Sequence, residues 1–215
     1  MITVHLLRHG ETVWHADNRY AGVSDVALTD RGRQQAEDLA PWAAGAGLAA
    51  VASSDLSRAV QTGEPVAAAA HVGLLVDPGL REVDFGAGEG RTRREMAEVF
   101  PDGLAAFLAA PATTPLPDGE PGENALARGL DTLARITAPF DGQAIAVIAH
   151  STLIRLVLCG LLGLPLDDYR RRFPRMGNAT ITTVTVPAAA TGAGLEGHGA
   201  LLRFNADVTP LSTPT

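Results

Sequence analysis

The chain has 215 residues, of which 46% are apolar and 19% charged, with a net charge of −7 and one cysteine. That is too apolar for a disordered chain. It provides no disulfide framework or cysteine-rich zinc site, and it weighs against a nucleic-acid or anionic-membrane surface. All 17 cationic residues are arginine, which excludes chemistry resting on a P-loop, Schiff-base or kinase-type lysine.

Ile2–Leu7 is a short β-branched apolar run that stops at Arg8-His9-Gly10, the pattern of a buried strand ending in a loop. It lacks the basic start of a secretory signal. Thr29 or Asp30 can cap a helix expected to run to about Ala44, ended by Gly45 and Gly47. Leu48–Ser53 reads as a second strand. Ser54 and Asp55 offer caps for a helix to about Ala70, and Leu74–Val76 reads as a third strand. Gly79–Gly90 is a glycine-rich loop, Thr92–Phe100 and Gly103–Ala109 are short helices, and Pro111–Gly122 is a proline-rich surface loop. Glu123–Pro139 is helical, Ala144–Ala149 a strand and Ser151–Leu162 a helix. Thr180–Val186 and Leu201–Phe204 are strands, joined by a flexible Ala/Gly turn or hairpin loop from Pro187 to Gly199.

Strands alternating with helices predict an α/β three-layer sandwich. Its central sheet is mostly parallel, with helices on both faces and an antiparallel edge strand. One domain spanning 1–215 is expected, with about the last ten residues forming a tail. No apolar stretch reaches the ~20 residues of a membrane span, so a cytoplasmic protein without membrane or nucleic-acid partners is expected. The sequence leaves oligomeric state open, a homodimer included.

In open α/β sheets ligands bind outside the carboxyl ends of the strands. The strand-end residues here are Arg8, His9, Gly10, Glu11 and Thr12; Ser53, Ser54, Asp55 and Arg58; Arg81, Glu82 and Asp84; and His150, Ser151 and Thr152. Two arginines offer fork-shaped donors that match phosphoryl oxygens. The amides that open the helix after His150 add partial positive charge. A neutral imidazole can attack phosphorus, and a carboxylic acid can protonate the leaving alkoxide. The set predicts phosphoryl transfer through a phosphohistidine, with no metal and no cofactor.

The same residues carry a family resemblance. Leu6-Leu7-Arg8-His9-Gly10-Glu11-Thr12 resembles the signature of the histidine phosphatase superfamily, with its phosphoglycerate mutase-like fold. So do Leu28-Thr29 with Gly32 and Ala36, the run from Ser53 to Thr62, Leu80-Arg81-Glu82 with Gly86 and Glu89-Gly90, and Val147-Ile148-Ala149-His150. The resemblance runs from about Ile2 to Val186, with the motifs in the expected order. It implies that His9 is the phosphorylated nucleophile and Glu82 the proton donor. Arg8, Arg58 and His150 would clamp the phosphate, and Thr12, His15, Gly22 and Ser151 would touch substrate. Two positions depart from the pattern. His15 stands where members commonly have Asn, and Ser151 where they commonly have Gly, which places both among the determinants of specificity.

Each assignment has a plainer rival. Asp84 is the alternative carboxylate, and Glu82 could simply pair with Arg81. His5, inside the first strand, reads as structural, and the arginines argue against a zinc site of His5, His9 and His150. The cluster Arg170, Arg171, Arg172 and Arg175 reads as a solvated face, with a distal anion site as the sharper reading. Cys159 reads as buried and inert. The expected function is hydrolysis of a small phosphomonoester. A phosphoglycerate mutase is the alternative, and an inactive member serving as a binding module is the second.

Overall fold

The structure is a computed structural model, and it describes residues 1–189 and 191–208. The expected tail lies, from residue 209 on, outside the described residues.

Six strands form one sheet: β1 (Ile2–Arg8), β2 (Leu48–Ser53), β3 (Leu74–Val76), β4 (Ala144–Ala149), β5 (Ile181–Val186) and β6 (Ala200–Ala206), in the order β3-β2-β4-β1-β5-β6. β1 through β4 run parallel, whereas β5 is antiparallel to both β1 and β6. The mixed sheet follows from the connections. Helices separate the first four strands, whereas among the described residues between β5 and β6 no α-helix forms to carry a parallel crossover.

The strands alternate their side chains between two cores. Ile2, Val4, Leu6, Ile145, Val147 and Ala149 face α6 (Gly122–Thr137) and α7 (Ser151–Leu162), where Leu130, Leu133, Leu153 and Leu156 are buried. Leu7, Val51, Ala146 and Ile148 face the other side, where Leu39 and Ala43 pack beside Ala59, Val66 and Ala67. Helices therefore cover both faces.

The first predicted helix is two: α1 (Asp30–Glu37) and α2 (Ala40–Gly45). Pro41 lies in the first turn of α2. It has no amide to continue the ladder from α1, and its ring crowds the preceding turn. α3 (Ser57–Ala69) starts later than Ser54 or Asp55 would have it. The Ser57 amide donates to Asp25 Oδ1 (2.9 Å), a cap from another loop, while Asp55 is engaged by Arg81. α4 (Arg93–Val99) opens on a reciprocal capping box between Thr92 and Glu95, and α5 (Pro101–Ala109) follows directly. A further short helix, α8 (Tyr169–Arg172), was not apparent as an element in the sequence.

The Ala/Gly segment after β5 is docked rather than loose where it is described. Leu195 is fully buried, the Gly192 amide donates to Asp131 Oδ1 (2.9 Å), and Gly197 and Gly199 donate to carbonyls of α7. Small residues let the backbone approach those helices closely. Among the described residues, no helix is long and apolar enough to cross a membrane.

Candidate active site

A cavity of about 620 Å³ opens at the carboxyl ends of β1 and β4, lined among others by Arg8, His9, Thr12, His15, Glu82 and Ser151. β1 delivers Arg8 and His9. The loop after it is seated tightly, because a side chain at Gly10 would collide with the Gly32 carbonyl at the start of α1. The Gly10 amide donates to Thr62 Oγ1 (3.0 Å) on α3, and the His9 amide to the Ala149 carbonyl (3.1 Å).

His9 is 5% exposed, and its Nδ1 lies 2.7 Å from the Gly10 carbonyl. A carbonyl only accepts, so Nδ1 carries the proton and Nε2 keeps its lone pair. Burial holds the ring well below the usual imidazole range, with Arg8 and Arg58 adding to the effect, so His9 is neutral. The His150 ring stands 5.1 Å from that of His9. It is fully buried, and neither of its nitrogens meets a partner among the described residues. Burial keeps it neutral as well, with Arg58 the next cause.

Glu82 is also 5% exposed and is held by the start of α7. Its Oε1 accepts from the Val83 amide (3.0 Å) and the Leu153 amide (2.8 Å), and its Oε2 from the Thr152 amide (2.9 Å). The helix that offers amides to an anion thus gives two of them to Glu82. Arg128 of α6 fixes the same loop by donating to the carbonyls of Gly79, Arg81 and Glu82 while pairing with Glu120 at 2.9 Å.

Arg8 spreads its guanidinium between the Met176 carbonyl (2.6 Å) and His15 Nε2 (2.6 Å), and its Nε is buried without a partner among the described residues. Burial pushes its pKa down to about 10, Glu82 opposing and Arg155 adding to the fall. At the other nitrogen, His15 Nδ1 faces Thr12 Oγ1 (2.8 Å). Arginine has no acceptor, so Nε2 accepts from Arg8, while the Thr12 backbone amide also points at Nδ1 (3.0 Å). Burial and then Arg8 bring His15 down to about 4. His15 therefore serves Arg8 as an acceptor, with Asn178 Nδ2 3.2 Å from the same nitrogen and 3.1 Å from the His9 carbonyl.

The structure does not bring every predicted residue to the cavity surface. Arg58 lies beneath it, 0% exposed, donating to the carbonyls of Ser24 (2.7 Å) and Gly22 (2.6 Å), with its Nε left without a partner among the described residues. Gly22 belongs to that packing: a side chain there would strike Glu89 and the Val83 carbonyl. His150 is likewise behind the lining. Thr12, His15 and Ser151 do line the cavity. Of the rivals, Asp84 Oδ1 accepts from the Gly86 amide (2.8 Å), and Arg81 pairs with Asp55 (2.6 Å) rather than Glu82. His5 bonds Thr183 Oγ1 (3.0 Å) and packs edge-on against Trp42, away from His9. Cys159 is buried, which raises its thiol to about 11. Of the basic cluster, Arg170 alone lines the cavity; Arg171, Arg172 and Arg175 are exposed.

Four contributors escaped the sequence reading: Arg19, Arg128, Arg155 and Asn178. Arg155 had a signal, since it lies one helical turn beyond Ser151 and shares its face. Arg128 and Asn178 had none, because their partners, carbonyls of Gly79, Arg81, Glu82 and His9 and the side chains of Glu120 and His15, come together only in the fold.

The chain belongs to the histidine phosphatase superfamily (branch 1), whose family model matches residues 4–191. It is 32% identical to the protein named "Probable phosphoglycerate mutase GpmB" of Enterobacter sp. (strain 638), over 86% of this chain and 85% of that one. Among solved structures, mycobacterial glucosyl-3-phosphoglycerate phosphatase superposes with a TM-score of 0.84 at 26% identity, covering 95% of this chain and 99% of that one. A phosphoserine phosphatase from Entamoeba histolytica, in complex with phosphoserine, gives 0.81 at 26% identity, covering 96% and 98%.

Proposed function

We propose that this chain is a phosphomonoesterase that works through a phosphohistidine at His9 and needs no metal. One observation carries the reading. Around the neutral His9 ring, Arg8 Nε, Arg58 Nε and both nitrogens of His150 are buried without a partner among the described residues. Unsatisfied buried polar atoms are costly, so a group of them close to one imidazole calls for a ligand rich in acceptor oxygens, with Arg8 at the cavity surface and Arg58 and His150 just behind it. A phosphoryl group is such a ligand, and His150 can turn an N–H toward it. The Ser151 amide at the start of α7 adds another donor.

In the first half-reaction, His9 Nε2 bonds to phosphorus as the P–O bond to the leaving group breaks. The proton for the departing alkoxide comes from Glu82. Its Oε1 is filled by two amides, so Oε2, with one, is the oxygen that carries the proton. In the second half, water bonds to phosphorus, the P–N bond breaks, and the water's proton returns to Glu82. The arginines supply the charge stabilisation that other phosphoryl-transfer sites draw from metal ions.

A mutase is the second reading, favoured by the name of the 32%-identical relative. One experiment separates the two. Purified protein is given 4-nitrophenyl phosphate with a chelator, then a panel of metabolite phosphates including phosphoglycerates and phosphoserine. Steady phosphate release, with an acid-labile and alkali-stable phosphoprotein on quenching, supports the hydrolase. Isomerisation of phosphoglycerate without phosphate release supports the mutase. Neither activity would leave the binding-module alternative.

A further inference from the structure

One phosphoryl group does not account for the charge in this cavity. Six of the lining residues are arginines, and Glu82 is the one carboxylate among them. Arg8 belongs to the phosphoryl site. Arg19 is engaged, with Glu95 at 2.8 Å and the Gly90 carbonyl at 2.6 Å. Arg93 and Arg94 are exposed at the mouth. Arg155 and Arg170 remain.

Arg155 differs from the inward-facing arginines that brace loops. Arg58 and Arg128 fill their forks with backbone carbonyls. Arg155 makes no hydrogen bond or ion pair to another described residue, and its Nε is buried. Both terminal nitrogens of those two guanidiniums are tied down, and neither of Arg155's is. An arginine does not shed its proton to escape burial, so a half-buried guanidinium without a partner leaves a charge uncompensated. Burial does bring its pKa down, and Arg170 contributes. Arg170 itself is held by aromatic faces, its guanidinium 4.6 Å from the centre of the Phe107 ring and 5.3 Å from that of Tyr169. That contact orients the cation without neutralising it.

Their placement sets a distance. Arg155 lies one turn beyond Ser151 on α7, about 6 Å along the axis. Helical side chains lean back toward the N-terminus, so its fork reaches up into the cavity. We propose that Arg155 and Arg170 form a second anion subsite, which takes a carboxylate or second phosphoryl group at the far end of a doubly anionic phosphomonoester. This rests on the hydrolase reading above and narrows its substrate class.

The test uses matched probes on the full chain. The carboxylate arm compares 3-phosphooxypropanoate with its isosteric amide. The phosphoryl arm compares propane-1,3-diol bisphosphate with the monophosphate, and 4-nitrophenyl phosphate reports the chemistry itself. The wild-type acid-to-amide or bis-to-mono ratio of kcat/KM should be on the order of 10- to 100-fold, the scale of a hydrogen bond to a charged group. It should fall toward one in Arg155→Met and in Arg170→Met. Which arm shows the ratio identifies the anion. Ratios near one in both wild-type arms, with 4-nitrophenyl phosphate still hydrolysed, overturn the subsite. So does a ratio that survives in the variants. Should Arg155→Met not fold, the wild-type ratios and Arg170→Met still decide. If no probe is hydrolysed, the hydrolase reading fails instead. Calorimetric Kd values of acid and amide then judge the subsite, equal values overturning it.

Discussion

The floor and the wall of the cavity are built on opposite principles. On the floor the groups are held, His150 alone lacking a partner among the described residues. His9 is fixed by the Gly10 carbonyl, Glu82 by three amides, Arg58 by the loop carbonyls of Gly22 and Ser24, and Arg8 by Met176 and His15. On the wall Arg93 and Arg94 are exposed, Arg155 has no partner among the described residues, and Arg170 rests on aromatic rings. Held donors need no reorganisation when charge develops, which suits them to chemistry. Loosely held cations can adapt to different anions, which suits them to selection. Floor substitutions should therefore alter the rate with every substrate, and wall substitutions should alter the ranking among substrates.

The largest effect should come from His9→Ala. Without Nε2 no phosphoenzyme forms, and kcat should fall on the order of 10⁴-fold or more, while Tm shows the fold retained. Activity within tenfold of wild type would show that the floor does not work through His9.

Glu82→Gln comes next and should depend on the leaving group. With an alkyl phosphate the loss should be about 10²- to 10⁴-fold, the range for a general acid. The burst of aryl alcohol from 4-nitrophenyl phosphate should fall much less, because that oxygen leaves without a proton. Equal losses in both would move the acid role elsewhere, with Asp84→Asn the next variant to measure.

Arg8→Lys keeps the charge but loses the fork. It cannot serve Met176, His15 and a phosphoryl oxygen together, so kcat/KM should drop on the order of 10²-fold for all substrates alike. A loss confined to doubly anionic substrates would put Arg8 with the wall.

Arg128→Met tests whether the floor depends on a residue that touches no substrate. It removes the clamp on the Glu82 loop and should cost about 2 kcal/mol of stability in urea unfolding. It should also lower kcat for alkyl phosphates roughly tenfold while the aryl burst changes little. Equal slowing of the two would mean that the loop does not act through Glu82.

The smallest effect concerns pH and stability. His9, His15 and His150 are held neutral by burial, His15 down to about 4 against an ordinary 6.5. The unfolded chain therefore binds protons that the native state does not. Stability is fully present above pH 6.5 and falls as pH drops from there toward 4. Melting at pH 7 and pH 4.5 should show a smaller loss of Tm in His15→Asn than in wild type. Equal losses would indicate that His15 is already protonated in the native protein.

Much of this molecule was legible in its residues. Short apolar runs between glycine, proline and capping residues gave β2, β3 and β4 their bounds, although β3, at the sheet edge, leaves Leu75 and Val76 exposed. The split of the first helix could have been read from Pro41. The later start of α3 could not, since its capping group, Asp25, comes from a loop distant in sequence.

For the site, the sequence by itself determined which residue types end each strand and the ordered motifs that mark the superfamily. The tertiary structure decided how those residues are used. It made His15 the acceptor for Arg8 while keeping it in the cavity lining, and it set Arg58 and Gly22 beneath the cavity. It gave the α7 amides to Glu82 and left Arg155 without a partner among the described residues. The reason is physical. Residue type fixes what a group can donate or accept, but its partner is set by whichever distant carbonyls, amides and rings the packing brings within about 3 Å.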